Sequence, residues 1–192
     1  MKRSLHCLFL KAQAIALLVF GQRRAALARF ETMLVLAPTN RYAMASRAHL
    51  LARLGDRHGA VCAFEILTCT HSSCSAAWFN LGYMLDEEGR AGEAELAFRQ
   101  AIALEPQMDR AWYGLGLVLI RERRLDEAVP ILTRNTELQP MSPFGWYQLA
   151  RVQVDRQQAD AAMKIIGHLK GFEPKVAAQL ERETGLRAAP PW

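Results

Sequence analysis

The sequence lacks the local motifs on which most enzyme chemistry depends. It contains no Gly-rich phosphate loop, no His-Glu-x-x-His and no Gly-x-Ser-x-Gly elbow. Its five histidines share neither spacing nor phase along the chain. The run Asp86-Glu87-Glu88 falls near the end of a predicted helix, where solvated charge is the ordinary interpretation. We therefore expect no catalytic residues, no cofactor and no enzymatic activity.

Cysteine is scarce, and its spacing is typical of neither a disulfide framework nor a zinc ribbon. Cys69, His71 and Cys74 lie close together, but a structural zinc site needs four ligands, usually from two such clusters. A second cluster is missing from the sequence, so we expect no bound metal. Reduced thiols in a cytoplasmic protein are the favoured state.

Long hydrophobic runs and low-complexity tracts are also missing. The apolar stretch 5–20 after a basic start faintly resembles a signal peptide, but Lys11 and Gln13 interrupt it and no small-x-small cleavage site follows before Arg23-Arg24. The stretch is also shorter than the roughly 20 residues that span a bilayer. A packed helix is the favoured interpretation, with a degenerate targeting segment as the alternative.

The charge of the chain is unevenly distributed. The net charge is +5, but residues 1–74 hold 10 Lys and Arg against 3 Asp and Glu, whereas residues 75–192 hold 14 against 16. A basic excess of this kind is compatible with an acidic partner or an anionic membrane surface. An arginine-rich solvated face explains it equally simply. No continuous basic stripe follows, so we expect no nucleic-acid binding.

What the sequence does contain is a period of 34 residues. Counting from Ser75 as position 1, the same physical types recur in five repeats without a gap. Position 8 is small, position 20 is always Ala, and position 24 is large and apolar. The residues at these three positions are Ala14, Ala48, Gly82, Gly116 and Ala150; Ala26, Ala60, Ala94, Ala128 and Ala162; and Phe30, Phe64, Phe98, Leu132 and Ile166. Small residues allow two helices to approach closely, and the large residues fill the space between pairs.

The pattern resembles the tetratricopeptide repeat (TPR). It is clearest in 75–108, where Trp78-x2-Leu81-Gly82-x2-Leu85 is followed by Ala94-x3-Phe98 and Pro106. The resemblance implies an all-α, right-handed superhelical solenoid of helix-turn-helix repeats, with the first helix of each repeat (helix A) lining a concave face. We expect a single domain over 1–192. Its repeats are 7–40, 41–74, 75–108, 109–142 and 143–176, followed by a capping helix at 177–185 and a flexible tail at 186–192.

The family uses its concave face to bind peptides or helices, which directs attention to the inward positions of helix A. These positions hold an aromatic ladder beside arginines, the side chains that most often anchor protein interfaces. The alternative is that some rings pack between neighbouring A helices. The predicted peptide-binding residues are Phe79, Asn80, Tyr83, Arg110, Tyr113, Leu117, Arg121, Tyr147 and Arg151. The Lys-Asn clamp that binds chaperone tails is not completed in any frame of three repeats.

The first helix carries apolar residues around much of its circumference. A terminal helix is expected to be amphipathic, so a helix of this kind favours burial against a second copy, a partner or a membrane. The predicted docking or self-association residues are Leu5, Leu8, Phe9, Ile15 and Val19. The resulting hypothesis is a non-enzymatic, cytoplasmic protein-interaction scaffold. The alternative is a membrane-associated assembly factor or secretion chaperone that docks through the basic, apolar first repeat.

Overall fold

The protein is described by a computed structural model that defines the backbone of residues 2–188 and the side chains of residues 4–188. Within residues 2–188 the chain forms eleven α-helices and no strand, so the all-α prediction is confirmed. The helices are α1 Lys2–Val19, α2 Arg23–Leu36, α3 Arg41–Arg53, α4 Arg57–Thr70, α5 Ser75–Glu87, α6 Ala91–Leu104, α7 Asp109–Arg121, α8 Leu125–Leu138, α9 Pro143–Asp155, α10 Ala159–Phe172 and α11 Pro174–Thr184.

Four of the five A helices start where the 34-residue period predicts. Helices α3, α5, α7 and α9 begin at the four expected residues, whereas α1 begins at Lys2 rather than at Cys7. The Asn40 side chain accepts a hydrogen bond from the Ala43 amide at the start of α3, as a helix N-cap does. Pro143 occupies the first turn of α9, where its missing N–H costs nothing.

The turn between the two helices of each repeat uses a left-handed residue at position 15. Gly21, Gly55 and Gly89 adopt positive φ, as expected for glycine after a helix. The fourth and fifth repeats have no glycine there, yet Arg123 and Gln157 adopt φ of 60° and 61°. The backbone geometry of the repeat is therefore kept where the sequence no longer favours it.

The core is formed by the residues that the period marks. All five alanines at position 20 are fully buried, and the large residues at position 24 are at most 1% exposed. The tryptophans at position 4 add a recurring hydrogen bond: the indole nitrogens of Trp78, Trp112 and Trp146 donate to the carbonyls of Ser72, Pro106 and Pro140, at 2.8, 3.0 and 2.9 Å. Each bond ties the start of one helix A to the loop before it.

Contacts divide the chain into two compact units, Met1–Ala97 and Phe98–Trp192. In unit 1, α1 packs on α2, α2 on α3, α3 on α4 and α4 on α5. In unit 2, the same neighbour packing runs from α7 to α11, and α9 also contacts both α7 and α11. The predicted single domain over 1–192 stays a prediction.

The C-terminal helix begins earlier than predicted. It covers Pro174–Thr184 rather than 177–185, because proline fits the first helical position and Gly185 ends the helix with a φ of 72°. The first residues of the predicted tail are held in place: Ala188 donates to Glu181, and Lys170 donates to the Ala188 carbonyl. The remainder of that tail, 189–192, lies outside the described residues.

Candidate functional site

The nine predicted peptide-binding residues fall in both units. Phe79, Asn80 and Tyr83 lie on α5 in unit 1, and the other six lie on α7 and α9 in unit 2. Among the aromatic residues only Tyr83 is exposed, at 53%, whereas the rings of Phe79, Tyr113 and Tyr147 are half-buried. These three rings thus pack partly against the protein.

In unit 1 a cleft of about 220 Å³ opens between α3 and α5, and we call it the α3–α5 cleft. Of the predicted residues only Asn80 lines it, so the sequence analysis missed most of this site. The described lining contains no Asp or Glu. It consists of Arg41, Tyr42, Ala45, His49, Leu67, Cys74, Ala76, Ala77 and Asn80.

Tyr42 is the aromatic centre of the α3–α5 cleft. Its ring packs edge-on against buried Phe30 with centroids 5.8 Å apart, and the Lys11 ammonium lies 4.1 Å from its centroid. A cation at this distance from an aromatic face is attracted by the ring. The tyrosine remains 42% exposed, so it offers a ring that is fixed in position beside a positive charge.

His49 lines the same cleft and packs edge-on against Phe64, with ring centroids 5.2 Å apart. Burial of the imidazole, followed by the positive charge of Arg53, lowers the pKa of His49 below its ordinary value of 6.5. The ring is therefore neutral at pH 7 and presents one donor and one acceptor. Together with the Asn80 amide, it supplies neutral hydrogen-bonding groups inside a cationic rim.

In unit 2 the predicted residues Tyr147 and Arg151 form one cluster with α11, which we call the Tyr147 cluster. The Tyr147 hydroxyl donates to Glu183 at 2.7 Å, and Arg151 lies against the same tyrosine, donating to its oxygen at 3.4 Å. Gln179 donates to the other oxygen of the Glu183 carboxylate at 2.8 Å. The bonds from Gln179 and Tyr147 lower the pKa of Glu183 below its ordinary value.

The Tyr147 cluster therefore recognises a carboxylate that belongs to the chain itself. A phenol, an amide and a nearby guanidinium surround the two carboxylate oxygens, as charge-assisted recognition requires. The other predicted residues of unit 2 lie on α7, where Arg110 and Arg121 are exposed and Leu117 is half-buried. Sequence reasoning missed Glu183, because α11 falls after the last 34-residue repeat.

The predicted docking residues on α1 are exposed in unit 1. Leu5, Leu8, Phe9, Ile15 and Val19 leave between 43% and 77% of their surface free. The buried side of the same helix carries Leu10 and Ala14, which join the core formed with α2 and α3.

Within residues 2–188, none of the helices has the length and apolar character needed to cross a membrane.

Comparison with known proteins places the chain in a family. The tetratricopeptide repeat family model matches residues 45–108 and 87–143, which together cover more than half of the sequence. The chain therefore belongs to the tetratricopeptide repeat family. No curated protein sequence matches it significantly.

Solved structures share the fold at low sequence identity. A MamA fragment from Desulfovibrio magneticus RS-1 is 19% identical, with a TM-score of 0.78 over 93% of this chain and 96% of that one. YrrB, described as a TPR protein with an unusual peptide-binding site, is 19% identical, with a TM-score of 0.76 over 88% of each chain. PilF of Pseudomonas aeruginosa is 18% identical, with a TM-score of 0.73 over 95% and 92%. The predicted TPR solenoid fold is confirmed, and it is the fold of a protein-interaction scaffold.

Proposed function

We propose that the chain is a non-enzymatic scaffold that binds an acidic peptide or helix of a partner protein on its A helices. The observation that carries this proposal is the α3–α5 cleft, where an aromatic ring, two neutral polar groups and a cationic rim meet without a carboxylate in the described lining. YrrB, a protein of the same fold, is described as having a peptide-binding site, which supports a peptide as the ligand.

The charge of the ligand follows from the surroundings of the cleft. Arg41 lines it and Lys11 lies over Tyr42, so an acidic side chain would gain two favourable charges on entry. In unit 2 the Tyr147 cluster already binds a carboxylate, which supports the same preference at a second face. The four cysteines are free thiols, in keeping with the reducing cytoplasm that we propose as the compartment.

The test uses a fluorescent poly-glutamate peptide and a poly-lysine peptide of equal length as probes. We expect wild type to bind poly-glutamate at least about tenfold more tightly than poly-lysine, with an affinity that falls as salt screens the charges. Tyr42→Ala and Arg41→Ala are expected to weaken binding, as is Arg151→Ala if the Tyr147 cluster contributes. Equal binding of both peptides would contradict the proposed ligand charge.

A control variant separates recognition from general surface effects. Leu96 on α6 is 69% exposed and belongs to neither face, so Leu96→Ala is expected to bind as wild type does. A cross-linked pull-down from the source cell extract then compares wild type with the Tyr83/Tyr113/Arg151 triple alanine variant. A partner retained by that variant would place recognition outside the predicted residues.

The second candidate function is a membrane-associated assembly factor or secretion chaperone. The observation in its favour is the exposed apolar side of α1, within a half of the chain that carries the basic excess. Docking on an anionic membrane predicts co-sedimentation with phosphatidylserine vesicles that weakens as salt rises. Failure to sediment at low salt would remove this candidate.

A further inference from the structure

The exposed side of α1 is a continuous apolar face. Seven residues recur with the spacing of one helix face and are all exposed, and we call them the α1 outer face. They are Leu5, Leu8, Phe9, Ala12, Ile15, Ala16 and Val19. Among the large residues of the face, Leu5 and Val19 are the most exposed, at 72% and 77%.

The fold of unit 1 does not use this face. The core around α1 is formed by Leu10 and Ala14 on the opposite side, with Cys7 and Leu17 partly buried against it. Polar residues border the outer face on both flanks, with Ser4 and Lys11 on one side and His6 and Gln13 on the other. An apolar patch with a polar border is typical of a protein interaction surface.

The order of side chains along the α1 outer face is symmetric about Ala12. Large residues stand at equal distances on both sides of it: Leu5 and Val19 lie seven positions away, and Phe9 and Ile15 lie three positions away. Leu8 and Ala16, four positions away, are the one unequal pair, and there a large residue meets a small one. A face with this symmetry is complementary to itself when two helices run antiparallel.

We propose that the α1 outer face binds the same face of a second copy, with the two helices antiparallel and crossing at Ala12. Phe9 then packs against Ile15 of the second copy, and Leu5 packs against Val19 of the second copy. The two Ala12 residues meet at the two-fold axis and let the helices approach closely. Such an isologous contact is the commonest way in which identical chains associate.

The size of the face suits a dimer. The patch is on the order of 600 Å², at the upper end of what a monomer exposes, and it approaches the roughly 800 Å² that each partner of a stable complex buries. The face runs along α1 from Leu5 to Val19, so the contact extends over about 21 Å. Leu18 and Phe20, 37% and 78% exposed beside the face, add apolar area.

Among the described side chains, the α1 outer face itself carries no charge. Apart from His6, Lys11 is the only titratable basic group among the described side chains of α1, and its ammonium points to Tyr42 rather than to the outer face. A lipid headgroup on this face would meet no described cation. A second copy needs none, because the contact is apolar on both sides.

The test measures the mass of the full chain by analytical ultracentrifugation. We expect wild type to sediment at twice the monomer mass of 21.6 kDa at micromolar concentration, and expect the dissociation constants of Phe9→Glu and Ile15→Lys to be more than about tenfold larger. A mixture of the two variants is expected to dimerise again, because the new carboxylate faces the new ammonium. Circular dichroism of each variant is expected to match wild type, since both positions are exposed.

A matched control places the same charge elsewhere on unit 1. Val35 on α2 is 81% exposed and outside the face, so Val35→Glu is expected to leave the dimer intact. The proposal is overturned by a wild-type chain that stays monomeric up to about 100 μM, a concentration that corresponds to weak association. It is also overturned by a dimer that survives Phe9→Glu, by a mixture that fails to pair, or by a monomer that sediments with phosphatidylserine vesicles.

Discussion

The Tyr147 hydroxyl donates a 2.7 Å hydrogen bond to the Glu183 carboxylate, which joins a predicted ligand-binding residue of α9 to the helix that follows the last repeat. The same carboxylate accepts from Gln179, and both bonds hold its pKa below the ordinary value. The chain's own acid thus occupies groups that the sequence analysis predicted would bind a partner.

Removing the Tyr147 hydroxyl is expected to raise the pKa of Glu183 toward its ordinary value. Tyr147→Phe keeps the ring but deletes one of the two bonds that favour the ionised carboxylate. The measurement is an NMR titration of the glutamate side-chain carbons in wild type and variant. Tyr113→Phe serves as the control and should leave the Glu183 titration unchanged. An unshifted pKa in Tyr147→Phe would show that Gln179 and the nearby arginines, rather than Tyr147, lower the pKa of Glu183.

A methyl group at Gly114 is expected to destabilise unit 2. A Cβ there would lie 2.7 Å from the ring of Phe98, which is buried in the core at 1% exposure. Overpacking of this kind typically costs about 1–3 kcal/mol, so Gly114→Ala should lower the urea midpoint accordingly. Gly92 is the matched control, because nothing lies within 4 Å of a Cβ at that position. Gly92→Ala is expected to leave the stability unchanged or raise it by up to about 1 kcal/mol.

Glycine at position 157 is expected to stabilise the protein. Gln157 adopts a φ of 61°, a region that costs a non-glycine residue about 1 kcal/mol or more. Gln157→Gly should therefore raise the free energy of unfolding by up to about 1 kcal/mol. Part of this gain is offset because glycine makes the unfolded chain more flexible and so increases the entropy lost on folding. Gly89→Ala, at the equivalent turn with a φ of 77°, should lower the free energy of unfolding. Thermal unfolding measures both changes. If Gln157→Gly is no more stable than wild type, the turn at position 157 is not strained.

The end of unit 2 is expected to lose stability in acid through Glu181. The hydrogen bond from Lys170, at 2.8 Å, is the main cause that lowers the pKa of Glu181. Because the folded pKa lies below the unfolded one, the stabilisation is complete above the ordinary value of 4.5 and disappears as the pH falls through the folded pKa. Glu181→Gln should cost about 1 kcal/mol near pH 7 and should flatten the pH dependence below 4.5. Chemical unfolding at several pH values measures both effects; a parallel pH profile would exclude Glu181 as the cause.

The repeating core could be predicted from the sequence because each repeat places the same residue types at the same positions. Alanine at position 20 and a large apolar residue at position 24 are enough to define two packed helices, and burial of Ala94 and Phe98 follows directly. The turn geometry could be predicted only where a glycine marks it. Arg123 takes a left-handed conformation that its own preference disfavours, since the packed helices on both sides determine the backbone there.

The candidate site was less predictable than the core. It depends on contacts between side chains of neighbouring helices, which the 34-residue period does not specify. Whether Phe79 or Tyr147 is exposed depends on how closely adjacent A helices pack, and the sequence left both alternatives open. The positive charge beside Tyr42 in the α3–α5 cleft comes from Lys11 of another repeat, a contact that repeat positions alone do not reveal. Glu183 lies beyond the last repeat, where the period no longer assigns positions.

The hydrogen bonds of three indole N–H groups provide built-in NMR probes of the fold. These groups belong to Trp78, Trp112 and Trp146. Each indole N–H is bound to the carbonyl that precedes its repeat, so each gives a separate resonance whose chemical shift reports on one joint. If one signal is lost on heating or on adding a ligand, the contact between that helix A and the loop before it has opened. No added label is needed to locate it. The third, fourth and fifth repeats can thereby be followed one at a time, although they resemble one another closely.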